Sequence, residues 1–235
     1  MINNYFISGA KGVGKSTLLA RLLRELDLKP AGFAVKRINA ASGKPLLFEL
    51  RQAAELKEKG AESLIAKAAA DFSAADKVEA DRAEAERCQQ TFEIFEGAPK
   101  TLQLSAGADD SLKLLRYRKI FAYRENDAAK FQVEPDVFDN LGVELLKQSG
   151  QIVLLDELGR FELQALEFQR EVFSLLASEK IVIGVIKAES NPFLDELRRR
   201  DDLEIYELKE QNEEQRAEIF NKLLENLKNI KADKY

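Results

Sequence analysis

Residues 9–16 read GAKGVGKS and satisfy G-x-x-x-x-G-K-[ST] at every required position. With average residue usage, a chain of this length carries such a match by chance about once in a hundred. The chemistry that needs these residues at this spacing is the grip on a polyphosphate. Gly9, Gly12 and Gly14 let the backbone turn tightly, so that N–H groups converge on phosphate oxygens. A helix beginning near Lys15 adds the positive end of its dipole. Lys15 is expected to reach the β- and γ-phosphates, and Ser16 to offer its hydroxyl to Mg²⁺. Ala10, Lys11, Val13 and Thr17 complete the expected cradle. Lys11 is an extra phosphate contact or a solvated side chain. It is not the additional signature lysine that some P-loop ATPases carry five positions before the phosphate lysine, because Ala10 stands there.

The second chemical feature is IVLLDELG at 152–159, an apolar run that ends in two acids. Asp156 falls at the carboxyl end of a strand, where ligands of open α/β sheets gather. It suits a direct or second-sphere contact to Mg²⁺. Glu157 can orient or deprotonate a water aimed at the γ-phosphorus, which makes Lys15 and Glu157 the expected catalytic pair. The chain of 235 residues contains no histidine. Ser-His-Asp and Cys-His nucleophiles, His-ligated zinc and imidazole bases are therefore excluded. Carboxylates, lysine, arginine and hydroxyls must carry the chemistry.

The elements that position these residues follow from periodicity. Residues 4–8 form a short apolar strand, and Leu18, Leu19, Leu22, Leu23 and Leu26 recur at helical spacing to about Asp27. AGFAVKRI and PLLFELR flank a turn-rich stretch and predict a hairpin. TFEIFEG and LLRYRKIFAYRE read as further strands, and EPDVFDNLGVELLKQ as an amphipathic helix with Pro135 at an early position. After the acidic strand come a helix to about 178, the apolar strand KIVIGVIK, a helix from NPFLDELRRR, the strand LEIYEL and a closing amphipathic helix. Strands apolar on both faces that alternate with helices predict an α/β fold, a mostly parallel sheet covered on both sides. The length fits one domain. Within it, 52–125 reads as an insert or lid-like segment, helical or partly disordered over 52 to about 90, where Ala, Glu, Asp and Lys dominate.

Net charge is −5, which gives no basic footprint for nucleic acid. No apolar run approaches the ~20 residues that span a bilayer, and the first strand follows the N-terminus directly, without a leader pattern. The single Cys88 cannot form an intramolecular disulfide and reads as a bystander. These features together point to a cytoplasmic protein without a membrane partner.

The sequence resembles the small nucleoside-triphosphatases first described in thermophiles, often called nucleotide phosphatase/kinase proteins. The resemblance is carried by SGAKGVGKST, the GF pair at 32–33, LLDELGRFEL, IGVIKAESNPFLDELRRR and the EIYEL tract running to Asn212. It covers the first 50 residues and about 130–215. It implies a RecA-like P-loop NTPase fold, slow Mg²⁺-dependent hydrolysis of ATP, GTP and other triphosphates, and loose base selectivity. It supports Lys15, Ser16, Asp156 and Glu157 in the roles above and places Asn212 near the base. The family usually shows Asp-Glu-Ile-Gly-Lys-Met-Glu where this chain has DELGRFE, so Arg160 replaces a lysine with a differently shaped cation. A segment as long as 52–125 is unusual in the family and leaves the substrate and any protein partner of the insert open.

Further candidates come from the residues themselves. Lys187 ends the second apolar strand and is either a sensor of the γ-phosphate or a solvated strand-end lysine. Arg198, Arg199 and Arg200 offer an arginine finger, or complement a helix C-terminus. Arg37 has a structural or phosphate role. Phe and Leu residues of 161–176 read as core. Three functions fit: hydrolysis of nucleoside triphosphates, a nucleotide or small-molecule kinase that uses 52–125 as a lid, and a nucleotide-gated switch that holds a protein or RNA. Glu157 directly after Asp156 favours water as acceptor and hence hydrolysis.

Overall fold

The structure is a computed structural model that describes residues 2–39, 42–54, 119–124, 126–150, 152–209 and 212–233. The chain opens with strand β1 (Asn4–Gly9), the glycine-rich loop and helix α1 (Lys15–Glu25). Strands β2 (Pro30–Asn39) and β3 (Pro45–Gln52) form the expected hairpin, with a bulge at Ile38/Asn39. After them come β4 (Ile120–Tyr123) and β5 (Gln132–Val133). A helical segment then runs from α2 (Pro135–Val137) through a π-helical stretch (Phe138–Gly142) into α3 (Val143–Lys147). The rest alternates: β6 (Ile152–Leu158), a 3₁₀ turn (Phe161–Gln164), α4 (Leu166–Leu176), β7 (Val182–Ile186), α5 (Pro192–Arg198), β8 (Leu203–Leu208) and α6 (Glu213–Asp233).

The eight strands make one sheet in the order β5-β4-β3-β2-β6-β7-β1-β8. Every pairing from β2 through β6, β7 and β1 to β8 is parallel, and β3, β4 and β5 add on antiparallel. Strand side chains alternate between faces, and here both faces are buried. In β6, Val153 and Leu155 join one core while Ile152 and Leu154 join the other; β7 divides Val182 and Ile186 from Ile183 and Val185 in the same way. The leucines of α1 and the apolar face of α6 cover one side. Phe138, Phe168 and Phe193, from the π-helical stretch, α4 and α5, cover the other. Helices thus lie on both faces, the arrangement a parallel sheet requires.

Helix α1 ends at Glu25 with Leu26 as its cap, in keeping with the expected end near Asp27, where the chain turns left-handed at φ 49°. One local reading is corrected. The stretch 134–148 is not one regular α-helix but carries the π-helical segment, where Gly142 lets the Phe168 ring approach to within 2.8 Å of where a Cβ would lie. Of the strand read in 114–125, the described part is Ile120–Tyr123. TFEIFEG and the helical reading of 52 to about 90 fall on residues outside the described ones, apart from the first few.

Phe168 is fully buried and its ring stands 5.5 Å from Phe33 and 5.2 Å from Phe138, so it ties helix α4 to the sheet and to the π-helical stretch. Phe168→Ala is expected to lower stability by about 3–5 kcal/mol. Urea unfolding checks this; a loss below about 1 kcal/mol would mean that the face collapses around the missing ring.

Candidate active site

The glycine-rich loop follows β1, the neighbour of the edge strand β8, and turns over the carboxyl edge of the sheet. Gly9 sits at φ 142°, and a Cβ there would lie 2.3 Å from the Leu208 carbonyl oxygen of the neighbouring β8. No larger residue fits between these strand ends. Gly14, at φ 93°, is the N-cap of α1. The cap makes no side-chain hydrogen bond, and the first turn holds no acidic residue, so no side chain of the helix's own first turn neutralises the positive end of its dipole.

Lys15 folds back under the loop. It is 8% exposed, and its Nζ donates to the Gly9 and Ala10 carbonyl oxygens at 2.9 and 2.8 Å. Burial pulls its pKa below the ordinary lysine value, opposed by the charges of Glu157 and Asp156 and assisted by that of Lys187. Ser16 Oγ donates to Asp156 Oδ1 at 3.1 Å. This bond joins α1 to the end of β6 across the intervening β7, and Asp156 itself is buried.

Glu157 lies beside them and forms an ion pair with Lys187, Nζ to Oε1 3.2 Å. Lys187 is therefore not a solvated strand-end lysine. Its stem passes over Gly159, where a Cβ would meet it at 2.8 Å, and its ammonium stands 5.3 Å from the Phe161 ring centroid. Behind this pair lies Glu162, 2% exposed, whose carboxylate accepts the Gly159 N–H at 2.9 Å. Desolvation pushes its pKa up from 4.5 to about 7, against the opposing pull of the Glu162 and Gly159 N–H groups and of Lys187.

A cleft of about 650 Å³ collects these groups, apart from the buried Glu162. Its lining takes in Gly9, Ala10, Lys11, Gly12, Gly14, Lys15, Ser16 and Thr17 from the loop, with Asp156, Glu157, Arg160, Lys187 and Arg37. Val13 points inward to the core instead, and its carbonyl accepts from Arg216 at 3.1 Å. Asn212 is not in the lining; its Oδ1 accepts the Gln215 N–H and caps α6. The arginine cluster also lies outside the lining. Arg198 donates to the Lys187 and Glu189 carbonyls and to Asp195, which fixes the loop after β7, and Arg200 pairs with Asp202. The sequence reading missed Arg216, Glu162, and the apolar part of the cleft formed by Val35, Phe48 and Phe131. Glu162 had one available signal, since it closes the DELGRFE motif.

A sheet with the phosphate loop after β1 and adjacent acids near the carboxyl end of β6, joined through Ser16 and Asp156, defines a P-loop NTPase of RecA-like architecture. The family model described as NTPase matches residues 101–224, more than half of the chain, and the chain belongs to that family. A curated relative, nucleoside-triphosphatase THEP1 of Thermotoga maritima, is 33% identical over 108 residues, which are 45% of this chain and 60% of that protein. The match thus spans about 60% of the relative's length. Among solved structures, THEP1 from Aquifex aeolicus superposes with a TM-score of 0.55 at 18% identity, covering 95% of this chain and 98% of that one. A human cancer-related nucleoside triphosphatase gives 0.52 at 17% identity, with 96% and 97% covered. At these identities the structures bear on the fold alone.

The buried Glu162 carboxyl has a consequence for stability. Its folded pKa is raised, so between about pH 4.5 and 7 the folded state holds more protons than the unfolded one, and stability falls as pH rises through that window. Gln keeps an acceptor for Gly159 without a titrating proton. Relative to wild type, Glu162→Gln is expected to gain roughly 1–3 kcal/mol on going from pH 4.5 to pH 7.5. Parallel urea-midpoint profiles for the two proteins across that range would contradict it.

Proposed function

We propose that the protein hydrolyses nucleoside 5′-triphosphates to the diphosphate and phosphate. The observation that carries the reading is the 3.1 Å bond between Ser16 and Asp156 with Glu157 next to it. It brings a phosphate-binding loop, two hard oxygen ligands and a candidate base to one place. The activity for which the Thermotoga relatives are named, nucleoside-triphosphatase, supports the same conclusion.

The loop N–H groups and the α1 N-terminus hold the phosphates, and Lys15 exchanges its two carbonyl partners for the β- and γ-phosphate oxygens. Ser16 and Asp156 are the residues that would hold Mg²⁺. A hydroxyl and a carboxylate oxygen suit an ion that keeps waters and phosphate oxygens in its remaining positions. Mg²⁺ bound there would neutralise charge on the transferring phosphoryl group. No cluster of three or more carboxylate, Cys or His ligands exists among the described residues, and such an ion does not need one. Glu157, fixed by Lys187, orients the water and takes its proton as the water oxygen attacks the γ-phosphorus. The family resemblance implies loose base selectivity and puts Asn212 near the base, although Asn212 lies outside the lining of the cleft. No helix among the described residues is long and apolar enough to cross a membrane. We read the protein as cytoplasmic.

Two substitutions test separate parts of this scheme. Lys15→Ala is expected to abolish tight triphosphate binding, and unchanged affinity by calorimetry would show that the loop is not a phosphate site. Glu157→Gln keeps the shape but cannot accept a proton. It should bind ATP and Mg²⁺ as wild type does, while hydrolysis falls by roughly 10²–10⁴-fold. Near wild-type phosphate release would place the base elsewhere, and a parallel loss of binding would make Glu157 a partner of Asp156 at the metal.

A further inference from the structure

The cleft does not end at Glu157. Its lining continues onto β2, β3 and the segment before β5, where Val35, Arg37, Phe48 and Phe131 meet Arg160 and Phe161. Arg37 stands opposite Phe48 in the antiparallel ladder, so the two side chains leave the same face of the sheet. The rings of Phe48, Phe131 and Phe161 form a wall with centroids 5.3, 5.2 and 5.8 Å apart. Phe48 and Phe131 remain partly exposed although both pack against the core. At its rim are two exposed guanidinium groups, with Arg160 5.2 Å from the Phe161 ring centroid. Among the described residues no carboxylate pairs with Arg37 or Arg160. The acids in the cleft lining, Asp156, Glu157 and Glu189, belong to β6 and the loop after β7.

The strand order fixes where this arm lies relative to a nucleotide. The loop follows β1, and α6 with Arg216 lies on its β8 side, while the arm belongs to β2, β3 and the β4–β5 connection beyond β6. A triphosphate whose terminal phosphate sits at Asp156 and Glu157 therefore points that phosphate toward the arm and its nucleoside away from it. An attacking water needs neither rings nor guanidinium groups. A flat ring stacks on Phe faces at these spacings, and planar guanidinium groups recognise a phosphate or carboxylate in a bidentate way.

We propose that this arm is a second-ligand subsite, which takes a small molecule carrying a planar aromatic ring and an anionic group and holds it beside the terminal phosphate of the bound triphosphate. The proposal rests on the nucleotide reading of the loop. Its occupant touches Phe131 and Phe48 with its ring and Arg37 and Arg160 with its anion.

The test uses the full chain with Mg²⁺ and a saturating non-hydrolysable triphosphate analogue, so that the loop is filled first. Phenyl phosphate and benzoate are then titrated by calorimetry, with inorganic phosphate and benzyl alcohol as controls that carry only one of the two features. At least one aryl anion should bind saturably, about tenfold or more tighter than either control, and the better of the two shows which anion is preferred. Arg37→Glu should weaken that binding by about tenfold more than it weakens the analogue. Phe131→Leu, a conservative change, should weaken it several-fold and leave analogue affinity within about twofold. No saturable aryl-anion binding to a protein that does bind the analogue overturns the proposal. So does an Arg37→Glu protein that loses both ligands equally, since the arginine then serves the triphosphate. Failure of the wild type to bind the analogue appears in the first titration and strikes the nucleotide reading itself.

Discussion

The hydrogen bond from Ser16 to Asp156 is the contact around which the rest of the cleft is arranged, for it links the helix that follows β1 to the end of β6, and these two strands are not neighbours. β7 lies between β1 and β6. The bond can form only because all three strands run parallel and finish at the same edge, so that the groups following them converge. A parallel sheet needs helical crossovers, and those crossovers need apolar residues on both faces of every central strand. The burial of Phe6, Val153 and Val182 on one side and of Ile7, Leu154 and Ile183 on the other is therefore the condition for a hydroxyl and a carboxylate to stand 3.1 Å apart.

The electrostatics follow from the same convergence. Two lysines and two carboxylates meet at one sheet edge, and Lys15 is held by backbone carbonyls rather than by a carboxylate. Lys187 neutralises Glu157 from the adjacent strand, and Arg198 in turn clamps the Lys187 carbonyl. Arg198, in the last turn of α5, thus supports the site from outside the cleft. Glu162 is the least comfortable group in the arrangement, buried behind the ion pair and stabilised chiefly by two backbone N–H groups. A carboxyl in that position makes the turn after Glu157 sensitive to pH, as an amide would not be.

The antiparallel strands change the character of the cleft. β2 is shared between the two halves of the sheet, parallel to β6 and antiparallel to β3. Through it the phosphate-handling edge is continuous with an aromatic and cationic surface that the acid pair and the loop do not use. The glycine-rich loop and the acid pair occupy one part of the cleft, and the Phe and Arg side chains line the other.

The sequence by itself determined the contiguous parts. GAKGVGKS specifies a phosphate loop because the grip is made by backbone N–H groups and two adjacent side chains, all within eight residues. The apolar runs ending at Asp156 and Lys187 specify buried parallel strands because period and composition are local properties. What only the tertiary structure decided is which strand ends are neighbours. The Lys187–Glu157 ion pair, the Arg216 contact to the Val13 carbonyl, the placing of Arg198 outside the cleft and the joining of Arg37, Phe48 and Phe131 into one wall depend on strand order and on side-chain rotamers. Nothing in the spacing of Arg37 and Phe131 along the chain brings them together, since their partners are selected by the register of a sheet assembled from distant segments.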